Sequence, residues 1–216
     1  MEQNWIEYLV PLMKQYGSRK HPLDYKNRYQ LLVMVILSAQ DSDKHINELT
    51  PAFFEAYPSM NSLATATSDD LYRYMNTIRN FGNKSEWLIK LAQIIGDDDK
   101  IPTSMAELTK LPGIGRKSSN VIIRESGNVA EGVIVDLHVV RVAPRIGIAS
   151  GTQPEKIEKQ IMAIVPSEKW NSIGMALSFL GREICRPTNP KCTICIMNKV
   201  CNYYNKPIQE NRSLFD

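Results

Sequence analysis

Leu111-Pro112-Gly113-Ile114-Gly115-Arg116-Lys117 stands between two segments of helical periodicity, so its two glycines fall in a turn only a few residues long. Glycine lets the backbone take positive φ and come close to a ligand. Successive N–H groups at the start of the following helix then form a concave anion site. A DNA phosphate fits such a site. Pro112 stiffens the approach, and Ile114 is expected to anchor the turn to the core. Gly-x-Gly by itself equally fits an ordinary bend between two helices, so these residues alone leave both readings open.

Outward from this turn the chain reads as helical. Ile46, Leu49, Phe53 and Phe54, then Leu88, Leu91, Ile94 and Ile95, then Ile157, Ile161, Ile164 and Val165 recur every three or four residues. Strand alternation is almost absent. Helix starts are expected at Ser68 ahead of Asp69 and Asp70, at Ser104 with Glu107, and at Pro154 with Glu155. Gly17, Gly96 and Gly127 suit helix ends. The pattern predicts roughly ten short helices, an all-α fold. The acidic run Asp97 to Asp99 is expected to be a solvated loop with no role in a site.

A chain of 216 residues with 43% hydrophobic content can build one large core or two small ones. Its formal charge of +3 permits nucleic acid as a partner without identifying one. The first residues show no basic cluster ahead of an apolar run, so they do not read as a secretory signal. Trp5, Leu9, Leu12, Met13 and Tyr16 instead keep helical spacing. The longest apolar run, Leu31 to Leu37, is too short to cross a bilayer and suits a buried helix. A cytoplasmic protein is the resulting expectation. A boundary is expected near Gly127 to Gly132, with the N-terminal helix packing on the C-terminal ones. That gives two domains, 21–130 and 1–20 plus 131–216.

Three groups of residues carry chemistry. Lys117 lies near a helix N-terminus, where the helix dipole and the adjacent Arg116 both disfavour a second positive charge, and so favour the neutral amine that nucleophilic attack needs. An isolated lysine here equally suits a simple phosphate contact. Asp136 follows the apolar Val133-Ile134-Val135 and precedes the helical pattern of Val139, Val142 and Ile146, the position of an N-cap. Helix-terminal N–H groups would also hold its carboxylate ionised, ready to stabilise positive charge. Cys185, Cys192, Cys195 and Cys201 are all the cysteines of the chain, spaced C-x6-C-x2-C-x5-C. Four thiolates in one short loop can surround a cubane cluster. Zinc is the alternative, although its sites usually use two close pairs and only Cys192 and Cys195 form one. Arg182, Arg186, Lys191 and Lys199 flank the loop and suggest a basic face toward a DNA backbone.

Taken together, Leu-Pro-Gly-x-Gly-Arg-Lys, Val-Asp-x-His-Val, the cysteine quartet and Leu37-Ser38-Ala39-Gln40 resemble the endonuclease III family of helix–hairpin–helix DNA glycosylases, from about Tyr29 to Tyr203. The resemblance implies two helical domains flanking a DNA-binding cleft and a C-terminal [4Fe-4S] loop on the four cysteines. It implies a base-excision glycosylase with abasic-site lyase activity, acting as a monomer on double-stranded DNA that contains damaged bases, with oxidised pyrimidines expected as substrate. By position, Lys117 becomes the Schiff-base lysine and Asp136 the catalytic aspartate. Gln40 would enter the gap left by the flipped nucleotide. Leu111, Gly113, Ile114, Gly115, Arg116 and His138 would lie along the DNA, His138 being equally suited to helix packing. Thr77 to Lys84 resembles the second intercalating loop, where family members commonly carry a leucine wedge. Here the wedge position holds Asn80, unless Phe81 or Ile78 takes the role. Leu137 replaces the usual threonine after the aspartate, Ser118-Ser119 follows the lysine, and Pro144 stands where asparagine is common. Rival readings are a mismatch glycosylase of the same fold, acting on adenine or thymine, and a non-catalytic lesion-binding module. Lys117 argues against the first, since adenine-specific relatives usually lack the hairpin lysine, and Lys117 with Asp136 argues against the second.

Overall fold

The computed structural model describes residues 4–205, so Met1 to Gln3 and residues 206–216 of the expected second domain lie outside the described residues. Twelve α-helices joined by short turns and single 3-10 turns make up the fold, with no strand among the described residues. They are α1 (Trp5–Tyr16), α2 (Arg28–Leu37), α3 (Asp43–Ala56), α4 (Met60–Ala64), α5 (Ser68–Met75) and α6 (Phe81–Ile95). After these come α7 (Met105–Leu108), α8 (Arg116–Glu125), α9 (Leu137–Ile146), α10 (Pro154–Ile164), α11 (Trp170–Glu183) and α12 (Asn202–Asn205). The chain forms two compact units, one of Lys20–Asn128 and one of the residues up to Arg19 with those from Val129 onward.

In the first of these, α2 is the central element. Every residue from Leu31 to Leu37 is buried, so the apolar run is a helix hydrophobic all round, as core helices are. Asn27 caps it by accepting a hydrogen bond from the Gln30 N–H at 2.9 Å. Ser104 caps α7 as its sequence spacing suggests, accepting from the Glu107 N–H while its hydroxyl donates to Glu107 Oε2 at 2.7 Å. Helix α5 starts at Ser68, as its sequence suggests. Thr67 is the cap, in a box with Asp70, and Ser68 is the first helical residue. The acidic run is also not a plain loop: Asp97 caps a 3-10 turn, and the Asp98 carboxylate accepts from the Met60 N–H at 2.7 Å at the start of α4.

In the second unit, Leu9, Leu12 and Tyr16 of α1 join one apolar core with Val139, Val142 and Ile146 of α9 and Leu177 and Leu180 of α11. The N-terminal helix therefore packs on the C-terminal ones, because its apolar stripe needs that cover. Helices α9 and α11 approach closely at Gly181, where a Cβ would meet His138 Cβ at 2.8 Å. Only glycine fits at that crossing. The close approach sets the N-terminus of α9 beside the C-terminal half of α11.

Candidate active site and cysteine recess

The hairpin turn is held from beneath and open above. Leu111 and Ile114 are buried, so their side chains belong to the core and only the backbone of the turn remains for a ligand. Gly113 has φ +75°, and a Cβ there would meet the Trp87 ring at 2.8 Å. Trp87 is thus the floor of the turn, and glycine is required twice over, by the left-handed backbone and by the ring. Gly115 is the N-cap of α8, in extended conformation and with no side-chain cap. Nothing lies within 4 Å of where its Cβ would stand. The start of α8 is therefore uncovered at Gly115 and carries no capping side chain, a helix N-terminus of the kind that receives an anion. Arg116 and Lys117 are the first two residues of that helix, both half-buried.

Two exposed turns of the same unit carry the other candidates. Gln40 lies beyond the end of α2 at φ 62°, and Asn80 is the N-cap of α6 at φ 60° and ψ 37°. A non-glycine residue in the left-handed region costs on the order of 1 kcal/mol or more. Ile78 is buried and drops out as a wedge, while the Phe81 ring stands edge-on to Tyr72 with centroids 5.6 Å apart. Asn80 is the exposed tip.

Asp136 lies in the other unit as the N-cap of α9. Its Oδ1 accepts from the His138 and Val139 N–H groups, both at 2.9 Å. Its Oδ2 accepts from the Ser178 hydroxyl at 2.6 Å, with Arg182 Nη2 at 3.8 Å. Arg182 Nε in turn donates to Ser178 Oγ at 3.3 Å. Donors thus meet both oxygens, which suits an anion. The structure corrects the sequence reading of Arg182, which turns toward the aspartate; Arg186, Lys191 and Lys199 remain exposed on the cysteine loop. His138 packs on α11, its Nδ1 3.2 Å from Arg141 Nη2. Leu137, beside the aspartate, is 70% exposed, an apolar side chain offered to solvent. Ser178 and Arg182 were invisible as site residues because their partner lies some forty residues away, beyond any local spacing rule.

The four cysteines line one recess, together with Ile146, Leu180 and Tyr203 among others. Helix α9 pins the loop at its start. Arg141 Nε donates to the Cys185 carbonyl at 3.1 Å, and Arg145 donates to the carbonyls of Arg186 at 2.7 Å and Pro187 at 3.1 Å. Burial, and then the charge of Cys185 and Cys201, push the Cys192 thiol up; burial takes the Cys195 thiol up to about 11 and also raises that of Cys201. No group of three or more His, Cys, Asp or Glu among the described residues is arranged to hold a single metal ion.

Comparison with known proteins agrees with this geometry. Residues 33–167 match the family described as HhH-GPD superfamily base excision DNA repair protein. The chain is 34% identical to endonuclease III of Synechocystis sp., over 93% of this chain and 92% of that one. It is 39% identical to endonuclease III of Rickettsia felis, over 90% and 92%. Among solved structures it is similar to that of a trapped endonuclease III–DNA covalent intermediate, with TM-score 0.85, 30% identity, and 94% and 98% of the two chains covered. A thermostable thymine-DNA glycosylase, 22% identical with TM-score 0.75 over 94% and 96%, shares the fold.

Proposed function

Since the chain belongs to the HhH-GPD superfamily of base excision DNA repair proteins and, within it, to the endonuclease III family, we infer that it removes damaged bases from duplex DNA and then cleaves the abasic strand. The observation that carries this reading is the presence in one chain of a lysine in the first turn of a glycine-capped helix and an aspartate met by donors on both oxygens. The start of α8 at Gly115, which has no side-chain cap, receives a phosphate of the damaged strand, which fixes the register of the duplex. Gln40 and Asn80 fill the gap left when the nucleotide is turned out of the stack. Oxidised pyrimidines are the substrate class, with Leu137 as an apolar neighbour of the extruded nucleotide.

The Lys117 amine attacks C1′ and forms a C–N bond as the bond from C1′ to the base breaks, the base leaving with the bonding pair and taking up a proton. Asp136 stabilises the positive charge that develops on the sugar. Loss of the C1′–O4′ bond, with a proton to O4′, gives the Schiff base. Removal of a C2′ proton then expels the 3′ phosphate, and water releases Lys117. On this reading residues 21–130 form the hairpin domain, and 1–20 with 131–216 the aspartate domain, a division supported by the two compact units. Cys185, Cys192, Cys195 and Cys201 would hold a [4Fe-4S] cluster, which when bound fixes the loop and its basic side chains. No helix among the described residues is long and apolar enough to cross a membrane; the activity is exercised in the cytoplasm, at the nucleoid if the cell is prokaryotic.

Borohydride reduction in the presence of an abasic-site duplex tests the lyase reading: a covalent protein–DNA adduct is expected, and its absence overturns the Schiff base. Iron and acid-labile sulfide analysis of anaerobically purified protein tests the cluster, which a colourless zinc protein would refute.

A further inference from the structure

Lys84 is 2% exposed, in the first turn of α6, and among the described residues no carboxylate lies within ion-pair distance of its ammonium. Instead Nζ donates to the Leu37 carbonyl and to the Ala39 carbonyl, both at 2.7 Å. These two carbonyls lie at the C-terminal end of α2, where the helix dipole is negative, and immediately before Gln40. Burial pushes the Lys84 ammonium down, and the charge of Asp41 opposes it. A helix end needs no buried ammonium: a glycine or a water satisfies such carbonyls at far lower cost than desolvating a charge. What the lysine adds is reach, because it grows from the helix that begins at Asn80 and ends on the turn that carries Gln40.

A second link joins the same two turns. Asp41, next to Gln40, accepts from the Ser42 N–H and His45 Nδ1, each at 2.8 Å, and from the Arg79 N–H at 3.4 Å. His45 Nε2 lies 3.0 Å from the Thr77 hydroxyl. Asn80 itself is steadied by the Asn83 amide, which donates to its side-chain oxygen at 2.8 Å. Gln40 and Asn80 are two of the three non-glycine residues with positive φ among the described residues, so the braced turns are also the strained ones.

We propose that Lys84 is a positioning residue: by bonding the Leu37 and Ala39 carbonyls it locks the Gln40 turn to the Asn80 turn, so that both side chains enter the duplex as one rigid element. The role rests on the glycosylase reading above, and it acts on extrusion of the nucleotide rather than on the chemistry at C1′. Loss of the brace therefore matters when the target must be taken out of a stacked duplex, and little when it is already single-stranded.

The test compares borohydride trapping rates on an abasic-site duplex and on a single-stranded oligonucleotide with one abasic site. Lys84→Met should slow trapping on the duplex by roughly 10- to 100-fold, the loss of a charged hydrogen-bonded group, and on the single strand by less than about threefold. Gln40→Ala added to Lys84→Met should slow the duplex reaction little further, since both changes remove the same element. Equal slowing on both substrates, or undiminished duplex trapping, overturns the role. If Lys84→Met does not fold, Asp41→Asn must show the same duplex-selective loss, or the proposal falls. A wild-type chain that traps neither substrate instead refutes the Schiff-base reading itself.

Discussion

Helices α8 and α9 both start where the chain carries its candidate chemistry, and their first turns are built in opposite ways. At α8 the cap is Gly115, which has no side chain to cap the helix, and the space where a Cβ would stand is empty. At α9 the cap is Asp136, whose own carboxylate takes the N–H groups of His138 and Val139. The same helix-end electrostatics thus serve two purposes. On the proposed function, one terminus receives a phosphate that arrives with the substrate, and the other is closed on a carboxylate that stays in place through the reaction.

The largest expected effect separates nucleophile from scaffold. Lys117→Ala should lower strand cleavage and borohydride trapping at least about a thousandfold, as loss of a nucleophile does, while duplex binding, measured by fluorescence anisotropy, stays within a few-fold. Trapping at the wild-type rate would remove Lys117 from the chemistry. Next, Asp136→Asn keeps a competent N-cap, so the melting temperature should hold within a few degrees while base excision falls by roughly 100- to 10,000-fold. A parallel fall in stability would make Asp136 a cap only.

Gly115→Asp converts the first terminus into the second. Its φ of −100° and the empty space around the Cβ position accept the new side chain without strain. The variant should gain a few tenths to about 1 kcal/mol in thermal unfolding yet bind duplex DNA roughly tenfold more weakly, because the carboxylate takes the place of the phosphate. Unchanged affinity would deny the open terminus its role. Smallest is Ser178→Ala, which removes one donor from Asp136 Oδ2. Excision should slow by roughly tenfold or less, with Ser178→Thr restoring most of the rate in a single-turnover assay.

The contrast also marks how far the sequence could be read. The apolar stripes of α1 and α9, the Ser104 cap and the Asp136 cap depend on neighbours within one or two helical turns, so their residue types announce them. The sequence marks the start of α5 at Ser68, while the cap itself is the neighbouring Thr67, because hydroxyl residues stand side by side and only the backbone decides which one leaves the helix. Ile78 read as a possible wedge, although its side chain is buried. Arg182 read as part of a basic surface, although it lies against Asp136 and Ser178. Lys84 gave no signal at all, since a lysine in an exposed-looking segment is ordinarily solvated.

By itself the sequence determined the helices, the open hairpin with its lysine, the aspartate at a helix start, the spacing of the four cysteines and the family they indicate. Each of these is written in residues a few positions apart, where covalent geometry and helical periodicity leave few alternatives. Tertiary structure alone decided that Trp87 floors the Gly113 turn, that Ser178 and Arg182 secure Asp136, and that Lys84 ties two strained turns together. Those partners are distant in sequence, and packing of the helices against one another, absent from any local pattern, brings them within hydrogen-bonding reach.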